Sequence, residues 1–329
     1  QELENEEVRQ EEKKTKKKKV RKKKTMFGHI RSIISILLVV GIIGGSYWYY
    51  AFQYRAKVEP ETNRKVTNTD SVYTMEQYLK TLKRNQTVYK YACDEAEVDN
   101  DYGTYVVPGL KSTRTLKVKG DGEAEVCTSM TPQGLAFTED YILVSAYCKT
   151  KAHDSVIYVI DKESRRFVKE IVLNTKAHVG GMAYDTMNQI LWVTGQGSTW
   201  AQANAITLSH LENYSFDDGY HPIEFDMSYN LYKIKRASFM TYHDGALFVG
   251  FFTQDNASVI EKYLINADGT LYEKEDMNLK RTVGVTEPVA YAVSMQVISG
   301  KVQGMAFYNN KILLTRSWGI LPSEVQIFN

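Results

Sequence analysis

Apolar and polar positions divide the chain into three regimes. Residues 1–31 hold few apolar side chains, residues 32–52 hold no charge at all (SIISILLVVGIIGGSYWYYAF), and from about residue 125 short apolar runs alternate with turn residues. The 21-residue uncharged run has the length an α-helix needs to cross a bilayer core. Tyr47, Trp48, Tyr49 and Tyr50 crowd one end of it, where amphipathic rings favour the headgroup layer. A cleaved signal peptide also has a basic start, but its apolar stretch is about 7–15 residues and ends in small residues, not an aromatic cluster. Residues 54–70 are polar and read as a tether. Beyond them, Thr74 and Gln77 have capping-box spacing, and Met75, Tyr78, Leu79 and Leu82 fall at i, i+3, i+4 and i+7. That pattern predicts a short amphipathic helix packed on the domain that follows.

The third regime repeats. Pro132-Gln133-Gly134-Leu135-Ala136-Phe137 precedes Tyr141-Ile142-Leu143-Val144-Ser145, and Val179-Gly180-Gly181-Met182-Ala183-Tyr184 precedes Ile190-Leu191-Trp192-Val193-Thr194. Val302-Gln303-Gly304-Met305-Ala306-Phe307 precedes Lys311-Ile312-Leu313-Leu314-Thr315. A diverged copy runs from Ala237-Ser238-Phe239 to Ala246-Leu247-Phe248-Val249-Gly250. The equivalent positions Gly134, Gly181, Ser238 and Gly304 are 47, 57 and 66 residues apart. Each unit reads strand, tight turn, strand, and then a longer arm with further strands such as residues 155–161, 167–173 and 258–265. Four strands in that length match one blade of a β-propeller, whose repeats of roughly 40–50 residues surround a central channel. A small residue opens each inner strand because blades crowd together at the axis.

The Gly-Leu/Met-Ala-Phe/Tyr units and the closing Val156-Ile157-Tyr158-Val159-Ile160-Asp161 resemble the propeller superfamily of NHL, YncE-like (YVTN) and SMP-30/gluconolactonase-like domains, over about residues 125–329. The resemblance implies an all-β propeller, a fold that hosts both enzymes and binding modules. Four blades are visible. Val325-Gln326-Ile327-Phe328-Asn329 corresponds to the third strand of the first unit, so the expectation is a ring of five or six blades in the full-length protein. The organisation expected is a cytoplasmic acidic and polybasic tail without stable structure (1–31), a transmembrane helix (32–52), a tether and packing helix (53–90), and an extracytoplasmic β-propeller (91–329), incomplete at its C-terminus.

Charge sharpens the topology. Residues 1–53 contain 12 Lys/Arg against 6 Asp/Glu, and the remainder has 29 against 33. The body is mildly acidic, which argues against nucleic acid as a partner. Ten of the twelve residues 13–24 are Lys or Arg, beside the apolar run, which keeps that side cytoplasmic and in reach of anionic lipid.

Candidate chemistry is sparse. Loops at the inner-strand starts and second-strand ends bring Gln133, Tyr147, His178, Gln196, Gln303, Arg316 and Trp318 to one channel mouth, a set that suits a polar ligand such as a glycan, an anion or a protein surface. For Gln133 and Gln303, satisfying backbone groups at blade junctions is the competing role. Gluconolactonase-like enzymes hold a divalent ion through channel-facing carboxylate, Asn and Asp. The corresponding positions here are Gln133, Gly180, Ala237 and Gln303, with no carboxylate among them. The six His have no helical metal-ligand spacing, and no nucleophile elbow is present. Asp99-Asn100-Asp101-Tyr102-Gly103 has half of a calcium-loop pattern and reads as a turn. A binding module without cofactor or metal is therefore expected, with a metal-dependent hydrolase as the other reading. Of Cys93, Cys127 and Cys148, an oxidising exterior allows one disulfide; Cys127–Cys148 is preferred over Cys93–Cys127 because both ends of a hairpin return to one rim.

These readings generate a topology test. A reporter fused after residue 60 is expected to be active only outside the cytoplasm. Neutralising the basic residues between Lys16 and Lys24 is expected to weaken that orientation. Cytoplasmic activity of the unaltered fusion would overturn it.

Overall fold

The structure, a computed structural model, describes residues 2–48, 83, 84, 86, 107, 112–118, 122–164, 166–273, 287–319 and 323–329. The packing helix expected around residues 74–82, the Asp99 to Gly103 turn and Cys93 lie outside the described residues. Two units are present, residues 1–59 and residues 60–329.

The first unit holds one continuous helix, α1 (Glu2–Trp48). The stretch 1–31, expected to lack stable structure, is thus helical from Glu2. The cause is local. Residues 2–27 contain neither Gly nor Pro and are dominated by Glu, Lys, Gln and Arg, which are strong helix formers. Acidic residues lie ahead of basic ones, with Glu12 four positions before Lys16, the order that supports a helix. Gly28–Trp48 is long and apolar enough to cross a membrane, and its side chains stand open, Leu37 at 64% and Ile42 at 66% exposure.

The second unit is β structure. A hairpin of β1 (Thr113–Leu116) and β2 (Ala124–Cys127) comes first. The first blade is an antiparallel meander of β3 (Met130–Phe137), β4 (Tyr141–Cys148), β5 (Val156–Asp161) and β6 (Phe167–Val172). The second is β7 (Met182–Asp185), β8 (Ile190–Gln196), β9 (Ala201–Thr207) and β10 (Met227–Leu231), with a short helix α2 (Leu208–Asn213) between its last two strands. The third begins with β11 (Phe239–His243), β12 (Ala246–Gly250) and β13 (Ala257–Leu264). The chain then returns to lay β14 (Val289–Ala290) parallel beside β10, pairing Asn230 with Val289, before β15 (Ser294–Ser299) completes the third blade. The fourth has β16 (Val302–Tyr308), β17 (Lys311–Arg316) and β18 (Glu324–Phe328) among the described residues. Strands β3, β7, β11 and β16 are neighbours in that sequence around one axis. The arrangement is a four-blade propeller, as the repeat predicts. Strand β14, helix α2 and the β1–β2 hairpin have no counterpart in the repeat.

The cores lie between blades. In β8, Leu191 and Val193 join the cluster shared with the first blade, while Trp192 joins Leu247, Val249 and Tyr263 of the third. A strand alternates faces, so one run of buried residues serves two interfaces. Phe239 and Ile260 meet Val302 and Leu314 between the third and fourth blades. The end blades are covered on one side only: Leu135 and Phe137 of β3, and Val325 and Ile327 of β18, are each more than half exposed.

The repeated small residue has a specific cause. A Cβ added to Gly134 would lie 2.9 Å from the Gly180 carbonyl oxygen, and one on Gly180 would lie 2.5 Å from the Ser238 carbonyl oxygen. Backbones of successive blades leave no room there. Across each hairpin a hydroxyl answers the glycine. Ser145 Oγ accepts from the Gly134 amide at 2.8 Å and donates to the Val179 carbonyl of the next blade at 2.7 Å. Thr194 Oγ1 accepts from the Gly181 amide at 2.9 Å, and Thr315 Oγ1 reaches the Gly304 carbonyl at 3.4 Å. The third unit inverts the pair: Ser238 stands at the inner strand, Gly250 at the second, and the Phe239 ring occupies the space a Cβ of Gly250 would need.

Burial sets the worth of these hydroxyls. Ser145→Ala is expected to cost about 2–4 kcal/mol, because it leaves a buried amide and a buried carbonyl without a partner. Thr194→Ala should cost about 1–3 kcal/mol, and Thr315→Ala, at an exposed position, should be close to neutral. Denaturant titration of the full chain followed by tryptophan fluorescence checks this order, since Trp192, Trp200 and Trp318 all lie in the propeller.

Candidate functional site

The inner strands start on one rim, where the second strands end, and the tight turns between them lie on the opposite rim. Contacts between blades confirm this register at both ends. On the first rim Tyr147, at the end of β4, stacks on His178, just before β7, with ring centroids 3.9 Å apart and planes 19° from parallel. On the same rim Phe252 packs on Trp318 at 5.5 Å, linking the third and fourth blades. On the opposite rim His243 stacks on Phe307 at 4.0 Å.

The two rims differ in charge. The turns of the opposite rim carry exposed Glu139, Asp140 and Asp244. The first rim carries exposed Lys149 and Lys151 after β4, Lys176 before β7 and Arg236 before β11. None of these four cations takes part in an ion pair among the described residues. Burial of the His178 ring, then Lys151, then Arg236, hold its pKa below the ordinary histidine value. Next to it, Val179 has a φ of +44°, which a β-branched residue rarely adopts. Its carbonyl is held there by Ser145. The approach to β7 is thus fixed in place by the first blade.

The candidate residues separate on this geometry. Tyr147 and His178 come together. Gln133, Gln196 and Gln303 are exposed and donate to backbone carbonyls, Gln133 to Pro132 (2.8 Å), Gln196 to Gly197 (3.3 Å) and Trp200 (3.5 Å), and Gln303 to Ser317 (3.5 Å). Arg316 is engaged internally, donating from Nε to the Gly300 carbonyl at 2.7 Å and pairing through Nη1 with Glu324 at 2.8 Å. Trp318 is 41% exposed and packs against Phe252. Lys151 and Arg236, which flank the stacked rings, carry no motif in the sequence; only their repeat position, beside an inner strand or just past a second strand, marks them.

A second constellation lies below the turn that follows β4. Cys127 ends β2, Cys148 ends β4, and His153 sits in the next turn, where its backbone bridges to Lys117. Both cysteines are buried free thiols, so the pair expected as a disulfide is adjacent but unbonded. The two Sγ atoms and one His153 ring nitrogen all lie within 4.8 Å of one another. His153 Nδ1 is 3.4 Å from Cys148 Sγ, and Nε2 is 3.0 Å from Glu125 Oε2. Glu125 is held from its other side by Lys117 at 3.1 Å. Burial pushes the Cys127 thiol up to about 12. Burial also raises Cys148, but hydrogen bonds with Thr150, His153 and Cys127 and from the Ala152 amide outweigh it and bring that thiol down to about 6.

No protein-family model matches the chain, and no curated protein matches it in sequence. Among solved structures it is similar to hydrazine synthase of Kuenenia stuttgartiensis, at 13% identity and a TM-score of 0.37, over 66% of this chain and 56% of that one. It is also similar to glutaminyl cyclase of Myxococcus xanthus, at 13% identity and a TM-score of 0.35, over 62% of this chain and 76% of that one. The chain spans 56% of the length of the hydrazine synthase chain it matches. At such values neither likeness bears on chemistry, and the propeller reading rests on the strand topology itself.

Proposed function

We propose that this protein is a membrane-anchored, extracytoplasmic β-propeller that binds an anionic polymer or protein surface at its basic rim and performs no chemistry on it. The Tyr147–His178 stack between Lys151 and Arg236 carries the reading. Flat rings offer a stacking surface, and exposed cations beside them, outside any described ion pair, are free to meet an anion. The acidic opposite rim gives the molecule a direction, orienting such a ligand toward one face before contact. The apolar helix Gly28–Trp48 and the basic run ahead of it support anchoring with the propeller outside. The channel-facing positions that would need carboxylates for a lactonase-type ion carry Gln133, Gly180, Ala237 and Gln303, so the hydrolase reading has no residue in its favour.

The probe is polyphosphate, with a neutral dextran as control, on the detergent-solubilised chain. Binding to polyphosphate alone, weakening steeply with salt, is expected. Lys151→Glu/Arg236→Glu should lower affinity about tenfold or more, whereas Lys311→Glu, on the opposite rim, should leave it nearly unchanged. The same double variant should raise the His178 pKa seen by NMR, because two repelling cations are replaced by carboxylates. Equal affinity in all three proteins with that pKa change present would move binding away from this rim.

A further inference from the structure

The Cys127, Cys148 and His153 cluster is used by nothing in the rim reading, and its make-up is more specific than that of a thiol pair. We infer that these three residues form a site for a soft, thiolate-preferring metal ion, for which zinc is the natural probe. The inference rests first on convergence. Three donor atoms from three separate places in the chain, the end of β2, the end of β4 and the turn after it, lie within 4.8 Å of one another. Two sulfurs and an imidazole nitrogen suit zinc or cuprous copper and not calcium or magnesium, which take oxygen ligands.

It rests secondly on what stands behind the histidine. His153 Nδ1 faces Cys148, and its other nitrogen meets the Glu125 carboxylate at 3.0 Å. A carboxylate on the far nitrogen of a ligating imidazole fixes its tautomer and aims the near lone pair at the metal. A disulfide between Cys127 and Cys148 would need neither the histidine nor the carboxylate, nor the Lys117 contact that holds the carboxylate in place. Burial adds to this: both cysteines are 1% exposed, and the His153 side chain is 14% exposed. Binding needs no oxidant, since the metal replaces the two thiol protons, which pass to water.

The site would tie three segments that backbone pairing joins only loosely. The β1–β2 hairpin meets the first blade here through the Val118 amide on the Ala152 carbonyl and the Asp154 amide on the Leu116 carbonyl, each at 2.9 Å. A metal bound by Cys127, Cys148 and His153 clamps that hairpin to the end of β4.

The test uses the full chain in detergent with Cys93→Ser, so that only the two cluster thiols remain. Purified under reducing conditions and given zinc, it is expected to retain an equimolar amount after gel filtration. Cobalt in place of zinc should give a thiolate-to-metal charge-transfer band. Cys148→Ser and His153→Ala should each abolish retention, and Glu125→Gln should keep the stoichiometry while weakening affinity about 10–100-fold. Backbone circular dichroism shows whether each variant is folded. The milder Glu125→Gln keeps the test decisive should a ligand variant unfold, since a merely structural Glu125 would leave zinc affinity unmoved. Two results would overturn the site: no zinc retained by the folded, reduced chain, or a Cys127–Cys148 cross-linked peptide in a non-reduced digest of protein isolated from the cell envelope.

Discussion

The propeller depends on how closely backbones approach one another at the axis. Between the first and second blades, and again between the second and third, a carbonyl oxygen lies within 2.9 Å of where a Cβ would be, at Gly134 and at Gly180. Close approach buries amides and carbonyls, and buried polar backbone must be paired. Ser145 and Thr194 meet that need from the second strand of each hairpin. The repeat seen along the chain is therefore a pairing rule, with a glycine on the inner strand and a hydroxyl on its partner. The third unit departs from it: Ser238 and Gly250 exchange places, the Ser238 amide meets the Gly250 carbonyl at 2.9 Å, and Phe239 fills the gap.

The same crowding builds the rim. Because the Val179 carbonyl is bonded by Ser145, the segment before β7 is held in a backbone conformation that valine disfavours, and His178 is set flat against Tyr147. Exposed charges also gather at particular strand ends. Lys149, Lys151, Lys176 and Arg236 fall beside the starts of inner strands and the ends of second strands, and Glu139, Asp140 and Asp244 fall in hairpin turns. In the proposed reading the stacked rings and the exposed cations beside them form the anion-binding surface; the His178 pKa is lowered first by burial and then by Lys151 and Arg236.

The cysteine cluster has a different origin. It exists because the β1–β2 hairpin, which is outside the repeat, lies against the first blade. Its histidine is buffered on one side by sulfur and on the other by an acid–base pair, Glu125 with Lys117. The stability of that corner and the chemistry of its thiols are one problem, since any ligand of the sulfurs also fastens the hairpin.

Local pattern determined most of the architecture. The uncharged run, the four hairpin units opened by a small residue, the tight turns and the third strands of the blades are legible along the chain, because strand alternation and axial crowding are imprinted every few residues; the hydroxyl partner of each glycine is not. The helix from Glu2 is equally local: the helix propensity of its Glu, Lys, Gln and Arg outweighs the repulsion of the basic run. Only the tertiary structure decided the rest. Strand β14 crosses to a blade that the chain had already left, and no local signal marks such a return. The repeat position places Arg316 at the channel mouth, and only the fold shows that Glu324 and the Gly300 carbonyl engage it. Lys151 and Arg236 lie far apart in sequence and act on one imidazole only because successive blades share a rim. Cys127, Cys148 and His153 likewise show no ligand spacing, since the distance between them is set by the length of a hairpin and the packing of another, not by a turn of helix or a short loop.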